Sequence, residues 1–91
     1  MFLVVSYDIA DDKRRTRLAK IMEDYLTRVQ YSVFEGEMDE KHLQELLKRV
    51  RKVIAKDEDS VRVYRLCEAC LTRTQVIGKG SLTKNPEVYI I

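Results

Sequence analysis

Phe2-Leu-Val-Val-Ser-Tyr-Asp-Ile9 is an apolar run with a single carboxylate, Asp8, near its far end. A stretch this short, rich in Val, Ile, Phe and Tyr, reads as a strand covered on both faces and therefore central in its sheet. Strand alternation puts Phe2, Val4, Ser6 and Asp8 on one face and Leu3, Val5, Tyr7 and Ile9 on the other. An ionised carboxylate does not sit unpaired in an apolar layer. Asp8 therefore lies where the strand emerges, binds a cation, or is paired by a basic side chain; its plainest role is to end the strand and begin a turn.

The chain around this run has 91 residues, 45% of them hydrophobic and 35% charged, with a net charge of +2. That is one soluble globular domain with a thin core, burying about two thirds of the surface its unfolded chain exposes, so a second subunit would help it. No apolar stretch approaches the roughly 20 residues of a membrane helix. The N-terminus lacks the basic region and cleavage site of a signal peptide, so cytoplasm is the expected location. The small net charge means that a case for nucleic-acid binding must rest on clustering. Lys13, Arg14, Arg15, Arg17 and Lys20 are five basic residues with no acidic one among them, directly after the strand that carries Asp8. Glu35, Glu37, Asp39 and Glu40 form an acidic patch, and Lys48, Arg49, Arg51 and Lys52 a second basic run that reads as a solvated helix face.

Asp11 and Asp12 suit the N-cap or first turn of a helix. Leu18, Ile21, Met22, Tyr25 and Leu26 make one helical stripe, which predicts a helix over 12–27. Arg14 and Arg15 flank that stripe near the end of the first strand, within plausible reach of Asp8. The segment 28–38 is extended in character and holds one strand or two short ones, with Gly36 a candidate bulge. Asp39 and the series Leu43, Leu46, Leu47, Val50, Ile54 predict a second helix ending near Lys56, with a lone surface His42 in its first turn. A strand over 61–66 follows a polar loop. Cys67 and Cys70 form one C-x-x-C, two of the four thiolates a structural zinc takes, and read as reduced thiols. Residues 74–77 read as a short strand, Gly78 and Gly80 as a turn, Lys84-Asn-Pro86 as a breaker, and the final Val-Tyr-Ile-Ile as a strand that must pair with a sheet edge, its own or a neighbour's. With two strands in the middle the order is β-α-β-β-α-β, an α+β sheet with both helices on one face and the other face bare. A two-fold dimer through the bare faces brings two copies of Asp8 together, the number of carboxylates that Mg²⁺ commonly takes from protein.

Val4-Val-Ser-Tyr-Asp-Ile9, Asp11-Asp-Lys-Arg-Arg15, Arg28-Val-Gln-Tyr-Ser-Val-Phe-Glu-Gly-Glu37 and Asp59-Ser-Val-Arg-Val-Tyr64 together resemble the CRISPR-associated Cas two family, the small proteins of spacer acquisition. The resemblance runs to about Gly78. It implies a ferredoxin-like core over 1–78 and a C-terminal turn and strand over 79–91 that crosses to the partner's sheet in a sheet-to-sheet homodimer. It further implies Asp8 as the ligand of one Mg²⁺ shared between two subunits, and catalytic roles for Asp8, Tyr7, Arg15 and Arg17. Nucleic-acid contacts are implied for Arg15, Arg17, Arg28 and Phe34, and the basic cluster adds Lys13 and Arg14 as candidate phosphate contacts. The implied activity is metal-dependent cleavage of single-stranded RNA or duplex DNA, and the implied partners are that nucleic acid and dimers of the CRISPR integrase, the first Cas protein. The alternative is a DNA-binding scaffold of the integration complex that does not cut.

Overall fold

The opening apolar run is the central strand β1 (Phe2–Asp8), flanked on both sides in a computed structural model that describes residues 1–82. After it come α1 (Asp12–Glu23), β2 (Thr27–Gln30), β3 (Val33–Glu37), α2 (Glu40–Val53), β4 (Ser60–Leu66) and a short α3 (Glu68–Thr72). The sheet order is β2-β3-β1-β4 and every neighbouring pair is antiparallel. This is an α+β fold in which β1 and β3 lie inside and β2 and β4 form the edges. Among the described residues no helix is long and apolar enough to cross a membrane.

Alternation along β1 sorts its side chains as the sequence predicts. Leu3, Val5, Tyr7 and Ile9 join one buried cluster with Leu18 and Met22 of α1 and Leu43, Leu46 and Val50 of α2, so the helices pack on this face. Val4 and Ser6 are half-buried and Asp8 is exposed on the opposite face. Phe2, on that same open face, is nevertheless buried, and it shares a cavity lining with Leu66 and with Leu71 of α3. α3 therefore covers the Phe2 end of this face, and Gln75 to Ile77 share a cavity lining with Glu35, which stands opposite Val4 and is buried, while the Asp8 end is exposed.

Local chemistry explains where the elements stop. The side chain of Asp11 accepts the Arg14 amide and that of Asp39 accepts the His42 amide, so α1 and α2 each begin after an aspartate cap. α1 stops at Glu23, four residues short of the predicted end. The amides of Tyr25 and Leu26 still bond back to the Met22 carbonyl, so Leu26 stays buried in the helical stripe although the helix has ended. The middle segment is two strands turning at Tyr31 and Ser32. The irregularity in their pairing lies between Arg28 and Gln30, and Gly36 is in regular register with Leu3. Glycine at 36 has a packing cause instead: a Cβ there would stand 3.2 Å from the Leu26 Cδ2.

Residues 74–77 are irregular and form no strand. Thr74 is used to close α3, its amide donating to the Leu71 carbonyl and its hydroxyl to that of Cys70. Gly78 and Gly80 have φ of 95° and 105°, which glycine adopts without strain, in keeping with the expected turn. The breaker at Lys84-Asn-Pro86 and the terminal Val-Tyr-Ile-Ile lie outside the described residues.

Candidate functional site

Asp8 closes β1 opposite Ser60 of β4, with its side chain exposed on the open face of the sheet. It makes no hydrogen bond or ion pair among the described residues. On the same face Ser6 stands opposite Arg62, and Val4 opposite Tyr64. Arg62 is thus a diagonal cross-strand neighbour of Asp8, at a separation of about 7–8 Å for such positions. A hydrogen bond to Tyr64 raises the Arg62 pKa above its ordinary value. Sequence reasoning placed both in a strand motif and gave neither a role at the site. The alternation Val61-Arg62-Val63-Tyr64 contains the signal, since half-buried valines packed on the core put Arg62 and Tyr64 on the other face, but their position beside Asp8 depends on a pairing across more than fifty residues.

The end of the sheet where β1 finishes also gathers most of the predicted basic residues. The Tyr7 amide donates to the Ser32 carbonyl at 3.1 Å, which brings the β2–β3 turn to this end. Arg15, in the first turns of α1, donates to the Ile9 carbonyl at 2.8 Å and pairs with Asp12. Arg28 donates through Nε and an Nη to the Tyr31 carbonyl, at 3.0 and 2.6 Å. Its guanidinium carbon lies 5.2 Å from the Tyr31 ring centre and 5.4 Å from that of Phe34. Phe34 in turn stacks on Tyr7, with centroids 6.1 Å apart and planes inclined at 25°. Burial pushes the Tyr7 phenol above its ordinary pKa against the opposing pull of Arg28, and its Oη is buried with no hydrogen-bond partner among the described residues. Arg15, Lys20, Arg28 and Tyr31 line a shallow surface cavity of about 260 Å³ beside this cluster.

The predicted residues therefore fall into three groups. Lys13 and Arg17 are exposed cations without an ion-pair partner among the described residues. Arg15, Arg28 and Tyr7 meet around the β2–β3 turn. Arg14 and Phe34 are held by the fold. Phe34 has no exposed surface. Arg14 does not approach Asp8: it donates to Asp59 at 2.9 Å and to Glu58 at 2.8 Å. Asp59, read from the sequence as part of a polar loop, has a fully enclosed side chain that also accepts the amides of Ala55 and Ala10. Arg14, followed by those two amides, holds the Asp59 carboxyl well below the usual carboxylate range. Arg15 likewise turns to Ile9 and Asp12 and leaves Asp8 alone.

Among the described residues no group of three or more His, Cys, Asp or Glu side chains comes together as a metal cage. At its position Asp8 offers one hard oxygen donor, unpaired and open to solvent. That suits a divalent ion with oxygen ligands, provided the remaining ligands come from water or from a second copy.

A model of the family described as "CRISPR associated protein Cas2" matches residues 1–74. The chain belongs to the Cas2 family. A Chloroflexus aurantiacus relative named as a CRISPR-associated endoribonuclease Cas2 is 44% identical over 91 residues, covering 100% of this chain and 98% of its own. The crystal structure of Streptococcus pyogenes Cas2 superposes with a TM-score of 0.75 at 31% identity, over 86% of this chain and 100% of that one. A chain from a partial Cas6-RT-Cas1–Cas2 complex gives a TM-score of 0.78 over 99% of this chain and 98% of its own, and at 23% identity it shares the fold.

Proposed function

We propose that this Cas2-family chain is a metal-dependent nuclease subunit of the spacer-acquisition machinery. In this reading the β-α-β-β-α-β core is ferredoxin-like, two copies join through their open sheet faces, and the C-terminal strand over 79–91 crosses to the partner. The observation that carries it is Asp8: a carboxylate exposed and unpaired among the described residues, ending a buried central strand on the sheet face opposite α1 and α2. Two Asp8 side chains facing one another supply the protein oxygens for one Mg²⁺. Bound there, the ion contributes Lewis acidity and a water of lowered pKa.

The other residues act on the nucleic acid. Lys13 and Arg17, free of ion-pair partners among the described residues, neutralise backbone phosphates. Arg15 and Arg28, each anchored to a backbone carbonyl, present oriented N–H donors to phosphate oxygens. Tyr7 and Phe34 contribute by holding Arg28, not by touching the strand themselves. These contacts are to phosphate, so they position nucleic acid without reading its sequence. The endoribonuclease name of the Chloroflexus aurantiacus relative supports cleavage of RNA. The complex in which a similar fold is found supports an integrase of the Cas1 type as partner.

A second reading, a bridging scaffold that binds DNA without cutting, is favoured by the single exposed acid at the site and by the absence of a nearby general base among the described residues. His42 sits at the other end of the sheet, capped against Asp39. Replacing Asp8 with Asn separates the two. The nuclease reading expects Mg²⁺-dependent cleavage of single-stranded RNA or duplex DNA to disappear while the fold is kept. If purified wild-type protein cuts neither substrate with any divalent ion, yet supports integration beside the integrase, the scaffold reading stands.

A further inference from the structure

Cys67 and Cys70 lie at the opposite end of the molecule from Asp8. Leu66, just before them, is in register with Phe2, whereas Asp8 pairs with Ser60. The proposed nuclease chemistry makes no use of them. Both are exposed and reduced. Cys67 stands immediately before α3, and its sulfur accepts the Cys70 amide at 3.4 Å. The Leu71 amide donates to the Cys67 carbonyl at 2.9 Å, so one tight turn holds the two cysteines on the same side. Within that turn the thiols are unequal. The Cys70 amide, followed by the Cys70 thiol, holds the Cys67 thiol below its ordinary pKa. The same contact pushes Cys70 up. The turn also has a structural role, because Leu71 is the buried residue of α3 and lines the same cavity as Phe2 and Cys67.

We propose that Cys67 and Cys70 form a reversible dithiol–disulfide site, with Cys67 the thiolate that hydrogen peroxide oxidises and Cys70 the residue that resolves it. In the first step the Cys67 thiolate attacks one oxygen of the peroxide, the O–O bond breaks, and Cys67 becomes a sulfenic acid while the other oxygen leaves as hydroxide and takes up a proton. In the second step the Cys70 sulfur attacks the Cys67 sulfur, the S–O bond breaks, and the second oxygen leaves as water with the Cys70 proton. The two sulfurs lose two electrons and the peroxide is reduced to two waters. A dithiol reductant reverses the link by exchange. Closure staples the turn that carries Leu71 onto Phe2. The disulfide form therefore holds more firmly the hinge through which β4 hands over to residues 73–82.

The test uses the whole chain and dilute hydrogen peroxide. Intact mass should fall by two hydrogens, free thiols should drop from two per chain to none, and a peptide map should place the link within one chain. Reduced protein should alkylate at Cys67 about tenfold faster than at Cys70. Cys70→Ser should accumulate a sulfenic acid at Cys67 that a dimedone probe traps, and Cys67→Ser should not accumulate one at Cys70. Amide exchange at Leu71 and Thr72 should slow on oxidation and recover on reduction. Disulfides formed only between chains in dilute solution, equal alkylation and trapping at both positions, or thiols that survive peroxide would each overturn the assignment.

Discussion

Phe34 is the residue for which a structural and a ligand-contact role predict the most different experiments. It is fully buried, stacked on Tyr7 and covered by the Arg28 guanidinium. Truncation of a buried phenylalanine to alanine costs about 3–5 kcal/mol. A domain of this size has a total stability of about 5–15 kcal/mol, and each kcal/mol moves its melting temperature by about 4–8 °C. Phe34→Ala should therefore lower the melting temperature by about 12–40 °C. Its nucleic-acid binding and cleavage should fail in parallel with unfolding and recover below the variant's own transition. Phe34→Leu keeps most of the volume and should cost only about 1.5 kcal/mol. What it removes from the site is the ring beneath Arg28, a contact worth about 0.5–1 kcal/mol in an exposed setting, so affinity for a short RNA should fall no more than about fivefold. The assays are thermal and urea unfolding followed by circular dichroism, repeated at several protein concentrations because dimerisation raises apparent stability. Phe34→Ala with a melting temperature close to wild type but no binding would refute the reasoning, because the ring would then be reading the ligand directly.

Three further outcomes follow from the geometry. Asp8→Asn should leave the urea midpoint within about 0.5 kcal/mol of wild type, since the carboxylate is exposed and unpaired, while abolishing any cleavage that requires a divalent ion. The Asp59 carboxyl is depressed in the folded chain, so its contribution is complete above the ordinary aspartate pKa of about 4 and is lost as pH falls below it; urea midpoints should be flat near neutrality and decline in acid, and Asp59→Asn should be less stable at pH 7 with a shallower acid decline. Changing Lys13 and Arg17 together to Gln should reduce the slope of log affinity for duplex DNA against log salt by about 2, equally for unrelated sequences, and leave unfolding unchanged.

Most of the architecture was legible because the signals are local. The alternation in β1, the aspartate caps before both helices and the leucine series of α2 each specify an element without help from the rest of the chain. Errors arose where a pattern outlives the element that produces it, or where backbone groups are used elsewhere. The α1 stripe continues through Leu26 because the chain folds back on Met22 after the helix has ended. Residues 74–77 have strand-like composition, but Thr74 is bound into the close of α3. Nothing in the sequence places α3 over Phe2, since that contact joins the two ends of a long chain path.

The candidate site was legible in residue type and less so in pairing, and Asp8, Arg14 and Asp59 show why. Charge and proximity in sequence suggest Arg14 as the partner of Asp8. The folded chain instead offers Arg14 a carboxylate already receiving two backbone amides, so the arginine completes an enclosed network in which every component supports the others. The consequence reaches Asp8. An acid fixed for the sake of the fold acquires donors, as Asp59 does, and its pKa falls. Asp8 acquires none from the described residues, although a strand that is otherwise apolar would accommodate a neutral side chain there at little cost. Its carboxylate is thus unexplained by the stability of one chain, and on the dimeric reading proposed above a cation and the second carboxylate join it together when another copy presents the same sheet face.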